Sequence, residues 1–364
     1  MTAQEQRREA ETAAMRRALA LAATPGVPLG PNPRVGCVLL SPAGDVLAEG
    51  FHRGAGTAHA EADALARAAA AGVDVRGATA VVTLEPCNHT GRTGPCAQVL
   101  LGAGVARVVH AQSDPNPVAA GGASTLRAAG VEVESGLLAE ESRLLNEVWT
   151  FAVEHGRPFV TWKLAATLDG RSAAPDGTSR WVSGTASRLD THRLRALADT
   201  MLVGTGTILD DDPLLTVRDS DANPLPHQPL RAVMGLREVP ATARVLNGDA
   251  ETVLLRTRDP REALDRLFAL DRQHVFLEGG PTLAGAFLRA GLVDEIVCYT
   301  APFLLGGGRS AVADLGIGTI TDAYRPRVVD VAVLEPVVAG ETPDVRFTLR
   351  TDGVPVAVTR EGDH

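Results

Sequence analysis

Short apolar runs alternate with helical stretches along almost the whole chain, and this alternation constrains its fold most. RVGCVLLS, ATAVVTLEP and ARVVHAQSD read as strands, and HAEADALARAAAAG and GPCAQVLLGAG between them read as helices. Such a series builds a layered α/β module with helices packed on a mostly parallel sheet. SPAGD, between RVGCVLLS and VLAEGF, is a turn, so these two strands form a hairpin on the edge of that sheet. An alanine- and leucine-rich first helix is expected over 9–23, ended by PGVPLGPNP.

At 364 residues the chain exceeds the length over which one core keeps growing, so two domains are expected. LLAEESRLLNEVWTFAVEHGRP reads as a helix leading out of the first. The expected division is a first domain over 1–145, a linker region at 146–157 and a second domain over 158–364. The second α/β series holds FVTWKLAATLDG, a helix over 185–198, the strands TMLVG, RAVMGL, TVLLRT and HVFLEGG, the helix GPTLAGAFLRAG and the strand of DEIVCYTAPFLLGGG. The pattern does not assign the stretch after residue 325.

With 45% hydrophobic and 22% charged residues, the chain is globular rather than disordered. Its net charge of −9, without a basic stripe, argues against nucleic acid and membrane surfaces and for a small substrate. The charged opening MTAQEQRREAETAAMRR lacks the apolar run of a signal peptide, and no stretch is long enough to span a bilayer, so a cytoplasmic enzyme is expected. Four cysteines are too sparse for a disulfide scaffold, which favours reduced thiols in metal or core roles. Of the 35 Lys and Arg residues, only Lys163 is a lysine. Arginine cannot replace a lysine that must titrate or fit a tight site, although one lysine surviving a coding bias is equally compatible.

His59-Ala60-Glu61, Pro86-Cys87 and Cys96 carry the pattern of the zinc deaminases, a His-x-Glu followed by a Pro-Cys and a second Cys. One His and two Cys leave the fourth position of a zinc tetrahedron open to water, and Glu61 is the adjacent acid–base. His59 and Glu61, two apart, would point to opposite sides of a regular helix, so they belong at a helix start. Cys96 follows Gly-Pro at another helix start, where free N–H groups favour a thiolate. Cys37 and Cys298 lie in apolar strands and read as core; His89, between the two ligand cysteines, is expected to face substrate or its loop, with a fourth metal ligand as the alternative.

The eight residues NHTGRTGP between Cys87 and Cys96 exceed the two-residue gap of cytidine-type deaminases. With PNPRVGCVL and HAEADAL, the segment resembles the bifunctional riboflavin-biosynthesis deaminase-reductase family. KLAATLDGRSA, SRWVSG, GTGTILDDDPLLTVR and EGGPTLAGAFL resemble that family's reductase half. The resemblance implies a cytidine-deaminase-like three-layer module followed by a dihydrofolate-reductase-like module. It implies two steps on one phosphorylated pyrimidine: zinc-dependent hydrolytic deamination, then NADPH-dependent reduction of the ribosyl to a ribityl side chain. No G-x-G-x-x-G follows a first strand, and Gly204-Thr205-Gly206 matches only in part, in keeping with the second module not being a Rossmann fold.

Carried across residue by residue, the resemblance places Ala165, Trp181, Thr207, Asp211 and the run Gly280, Pro281, Thr282, Leu283, Ala284, Gly285 and Ala286 at cofactor positions. It places Asn32, Ser179, Arg195, Leu215, Arg218 and Glu278 at substrate positions, with Arg92 a further anion partner. The turn Glu278-Gly279-Gly280-Pro281 has the form of a strand-to-helix phosphate cradle, and Arg195 and Arg218 suit a phosphate ester as guanidinium forks. Lys163, in the matching KLAATLDG strand, is expected to orient the sugar or help protonate it. Three rivals stay open at this level: a nucleobase or nucleoside deaminase with a non-reducing second domain, a structural-zinc interaction protein, and a reductase whose deaminase half is inactive, against which the intact His-x-Glu and both cysteines speak. The oligomeric state is likewise open, a homo-oligomer being compatible.

Overall fold

The computed structural model describes residues 2–27, 30–89, 94–219 and 221–352. It divides into two compact units, Met1–Gly156 and Arg157–His364.

The first unit opens with α1 (Ala3–Ala22), which starts before the expected position because Thr2 and Glu5 form a reciprocal capping box. β1 (Gly36–Leu40) and β2 (Val46–Phe51) pair antiparallel. α2 (Ala60–Ala70), β3 (Thr79–Leu84), α3 (Cys96–Gly102), β4 (Arg107–Gln112), α4 (Gly122–Ala128) and β5 (Glu132–Ser135) follow. The sheet order is β2-β1-β3-β4-β5, with β3, β4 and β5 parallel and the hairpin strand β2 on the edge. Successive side chains of a strand face opposite sides. Val38 and Leu40 therefore pack with Met15 and Ala18 of α1, whereas Cys37 and Leu39 pack with Ala60 and Ala64 of α2. Three layers result.

The stretch expected as one exit helix is two, α5 (Ala139–Leu145) and α6 (Glu147–His155). Asn146 breaks it. Its Oδ1 accepts from the Arg34 backbone N–H at 2.8 Å and its Nδ2 donates to the Arg34 carbonyl at 2.9 Å, which ties the break to the entry of β1. The segment expected as a linker is thus mostly α6, whose Trp149 and Ala152 are buried within the first unit.

The second unit contains β6 (Phe159–Thr167), β7 (Arg171–Ala173), α7 (Thr185–Arg195), β8 (Thr200–Gly204), α8 (Thr205–Asp211), β9 (Leu230–Met234), β10 (Thr252–Leu255) and α9 (Pro260–Phe268). It continues with β11 (His274–Leu277), α10 (Pro281–Arg289), β12 (Glu295–Ala301), β13 (Arg309–Ser310), β14 (Arg327–Leu334) and β15 (Asp344–Arg350). The eight-stranded sheet has the order β10-β9-β8-β11-β6-β12-β15-β14, parallel from β10 to β12 and closed by antiparallel β15 and β14. β7 and β13 form a separate ribbon. Strand residues Val160, Trp162, Leu202 and Leu277 share a core with Phe287 and Leu288 of α10. In such a sheet ligands bind outside the carboxyl ends of the strands. No helix among the described residues is long and apolar enough to cross a membrane.

Candidate functional sites

In the first unit, His59 is the N-cap of α2 with an extended backbone (φ −68°, ψ 160°), so Glu61 falls in the first turn. That change of conformation between the two residues brings both side chains to one pocket. Cys96 is the first residue of α3, after Pro95 as N-cap, and Cys87 follows the carboxyl end of β3. His59 Nδ1 lies 3.5 Å from Cys87 Sγ and 3.3 Å from Cys96 Sγ, and all three ligand atoms are within 4.8 Å of one another. Zinc–nitrogen and zinc–sulfur bonds of normal length at a tetrahedral angle set an N···S edge of about 3.5 Å. The trio fits a zinc ion. The Cys96 thiol lowers the Cys87 thiol below its ordinary value against burial, aided by His59 and the Cys96 backbone N–H. Burial pushes the Glu61 carboxyl above its ordinary value.

The pocket beside this trio holds about 180 Å³ and includes Asn32, His52, Glu61 and His89. Asn32 Nδ2 donates to His52 Nε2 at 3.0 Å, so the ring proton sits on Nδ1, which donates to the Ala58 carbonyl at 2.9 Å. Burial keeps this imidazole neutral by lowering its pKa. Asn32 Oδ1 is thereby left without a partner among the described residues. His89 Nδ1 is buried and likewise unpartnered there, and His89 is not part of the metal trio. Arg92 lies outside the described residues.

Sequence reasoning missed Glu85, Asp114 and Asn116, which also line this pocket. Glu85 accepts from the backbone N–H groups of Gly121 and Ala123 at 3.1 Å each and of Asp114 at 3.3 Å, pinning the loop after β4 against the metal trio's pocket. Burial, with Glu85 nearby, raises Asp114 to about 6. The available signal was position: EP and SDPN directly follow the apolar strands β3 and β4.

In the second unit a cleft of about 1000 Å³ opens across the carboxyl ends of the parallel strands. Lys163, Ala165, Ser179, Thr207, Asp211 and Glu278 line it, as do Gly280, Pro281, Thr282, Leu283 and Ala286 at the start of α10. Gly280 is the N-cap of α10 and Pro281 its first residue, so free N–H groups open toward the cleft. Ala284 is on the buried side of the same helix. A Cβ at Gly285 would meet Ala313 and Arg289 rather than the cleft. Trp181 is exposed, with the Arg188 guanidinium 4.8 Å from its ring centre. Leu215 is buried among Val203, Val233 and Val245.

Arg195 is committed. Its Nε and Nη2 fork onto the two Glu278 oxygens at 2.5 and 2.6 Å. Burial pushes Glu278 up, but Arg195, with Lys163 and His192 behind it, outweighs burial and holds the carboxyl at about 2. Burial lowers Lys163 below the ordinary lysine value, with Glu278 opposing. His192, which the sequence did not flag, is brought to about 4 by burial and by Arg195. Its Nδ1 accepts from the backbone N–H of Arg218 at 3.3 Å, and the Arg218 guanidinium reaches Thr216 Oγ1 at 3.2 Å.

Residues 8–112 match the cytidine and deoxycytidylate deaminase zinc-binding region, and residues 158–335 match the RibD C-terminal domain. Riboflavin biosynthesis protein RibD of Mycobacterium tuberculosis is 52% identical over 297 residues, covering 81% of this chain and 86% of that protein. The RibD protein of Escherichia coli is 40% identical over 343 residues, covering 85% and 92%. A Thermotoga maritima crystal structure, described as a diaminohydroxyphosphoribosylaminopyrimidine deaminase/5-amino-6-(5-phosphoribosylamino)uracil reductase, aligns with TM-score 0.82 at 31% identity, covering 94% of this chain and 99% of that one.

Fold, site and matches together define a zinc-binding deaminase fused to an NADPH-dependent reductase. The two halves are one bifunctional enzyme. The chain belongs to the RibD family of riboflavin biosynthesis.

Proposed function

We propose that the chain deaminates a diamino-ribosylamino-pyrimidinone phosphate and then reduces the ribosyl of the product to ribityl. In the first unit His59 Nδ1, Cys87 Sγ and Cys96 Sγ hold zinc. When bound, zinc supplies a Lewis acid that lowers the pKa of a coordinated water toward neutrality. Glu61 accepts the proton of the attacking water and delivers it to the departing amine, so that water and the ring C–NH2 become C=O and ammonia. The raised Glu61 pKa suits a group that must carry a proton between these steps. Asn32, its amide oriented by His52, offers Oδ1 to a donor on the pyrimidine.

In the second unit the N-terminus of α10 takes the cofactor pyrophosphate, and NADPH, when bound, supplies the hydride. Lys163 orients the sugar or gives a proton to its oxygen, a role suited to an ammonium that burial makes easier to deprotonate. Arg195, with two donors on Glu278, serves the substrate phosphate through those that remain. The chain's net charge of −9 weighs against nucleic acid as its partner. Thiolate ligands and four free cysteines suit a reducing compartment, the cytoplasm. Exposed Val328, Val331 and Val333 on edge strand β14 favour a homo-oligomer, which size-exclusion chromatography of Val331→Lys against wild type tests.

The observation that carries the reading is the His59–Cys87–Cys96 trio with buried Glu61 in its pocket. The test is zinc content measured with ammonia release and NADPH consumption on the pathway substrate. Bound zinc without ammonia release would favour the structural-zinc reading. Ammonia release with no NADPH oxidation by the deaminated product would favour a non-reducing second domain.

A further inference from the structure

We propose that Arg237 and Arg258 bind the 2′-phosphate that distinguishes NADPH from NADH, so that coenzyme choice is made where β9 and β10 end. The inference rests on reading the large cleft of the second unit as the dinucleotide site. Strand order places the parts. From β6 the neighbours run β11, β8, β9, β10, and each contributes residues to the cleft: Lys163 from β6, then the segments that follow β11, β8, β9 and β10. Four strand intervals amount to about 19 Å, a span for an extended ligand. With hydride transfer beside Lys163 and the pyrophosphate at α10, which follows β11, the adenosine half extends beyond β8 over β9 and β10. Arg237 and Arg258 line the cleft at that end.

Neither guanidinium has an ion pair or a hydrogen bond among the described residues. The other cations of the cleft are otherwise placed. Lys163 is near Glu278, Arg289 donates to the Asp314 carbonyl at 2.9 Å, and Arg309 is on the ribbon strand paired with β7. Arg237 is also laid over the glycine turn after β8: a Cβ at Gly206 would be 2.9 Å from Arg237 Nη2. Both arginines are exposed, and one end of the Arg237 guanidinium lies against the cleft wall at Gly206. Among acidic lining residues, Asp211 pairs with Arg180 at 3.5 Å, and Asp210 precedes it on the same helix. A phosphate dianion here meets two unengaged forks matched to its oxygens. A 2′-hydroxyl leaves two like charges without a counter-ion, which disfavours NADH.

Calorimetric titration of the full chain with NADPH, NADH, 2′,5′-ADP and 5′-AMP tests this. Wild type is expected to bind NADPH more tightly than NADH and to bind 2′,5′-ADP more tightly than 5′-AMP. Arg237→Gln and Arg258→Gln should each weaken NADPH and 2′,5′-ADP by about tenfold to a hundredfold, leaving NADH binding within about twofold. Steady-state kinetics should show KM for NADPH rising by the same factor with kcat kept. Retained NADH affinity shows that the cleft is folded in the variants. Equal weakening of both dinucleotides, or an unchanged NADPH preference, overturns the inference. Wild type binding both dinucleotides equally overturns it while sparing the cleft reading. Wild type binding none of the probes removes the cleft reading and the inference with it.

Discussion

Glu278→Gln should destabilise the second unit by about 3 kcal/mol or more at neutral pH. The Glu278 and Arg195 side chains are 12% and 17% exposed, and two short charge-assisted bonds join them. Removing the carboxylate charge leaves the guanidinium shielded from water without a counter-ion, and breaking a buried pair from one side costs about 3–5 kcal/mol. The titration behaviour gives a similar size by another route. A carboxyl drawn from 4.5 to about 2 contributes roughly 3 kcal/mol once both folded and unfolded forms are ionised. The sign follows from the direction. A depressed carboxyl pKa stabilises fully above the unfolded value and loses that contribution as pH falls from 4.5 through 2, with most of it gone by about pH 3.

Denaturant unfolding of the full chain, followed by tryptophan emission at several pH values, measures this. Trp162 and Trp181 report on the second unit and Trp149 on the first. Wild type and Glu278→Gln should differ most near pH 7 and converge toward pH 3. Arg195→Gln combined with Glu278→Gln should recover much of the loss, because the orphaned charge is then gone. A single variant within about half a kcal/mol of wild type at pH 7 would refute the reasoning. So would a loss that is the same at pH 7 and pH 3.

Glu61→Gln should keep zinc but lower ammonia release by about a hundredfold to ten-thousandfold, with NADPH oxidation on the deaminated intermediate unchanged. Chelation, or Cys96→Ala, should remove zinc and ammonia release together while sparing that oxidation, as metal analysis beside the two assays would show. In Gly122→Ala the new Cβ would stand 1.7 Å from the Pro86 carbonyl oxygen, so the segment carrying Cys87 must shift; a cost of about 1–3 kcal/mol and faster zinc loss to a chelator are expected. Gly248→Ala, with nothing within 4 Å, is the matched control. Lys163→Arg should impair NADPH oxidation and leave ammonia release intact, and normal reduction by that variant would end the role given to Lys163.

What the sequence disclosed and what it hid divide along the range of the interactions. His59, Glu61, Cys87 and Cys96 were legible because each sits at a local signal, a helix start or a strand end, and their types are restricted by zinc chemistry. The start of α1 was misplaced for a local reason that was overlooked, the Thr2–Glu5 capping box. The break at Asn146 was not local. It depends on a backbone pairing with Arg34, far away in sequence, and nothing in RLLNEVW announces that partner.

The β14–β15 hairpin escaped for the same reason, since β15 takes its place only by pairing with β12. Asp114 and Asn116 acquire meaning only when β4 lies beside β3 and presents its carboxyl end at the metal trio. Arg237 and Arg258 are the extreme case. An arginine just past a strand is an ordinary solvated residue by any local rule. It becomes a candidate phosphate ligand only because the order β6-β11-β8-β9-β10 carries the cleft that far from Lys163. Strand order is therefore the information that converts this half of the chain from recognisable motifs into a cleft with a proposed direction, from Lys163 toward Arg237 and Arg258.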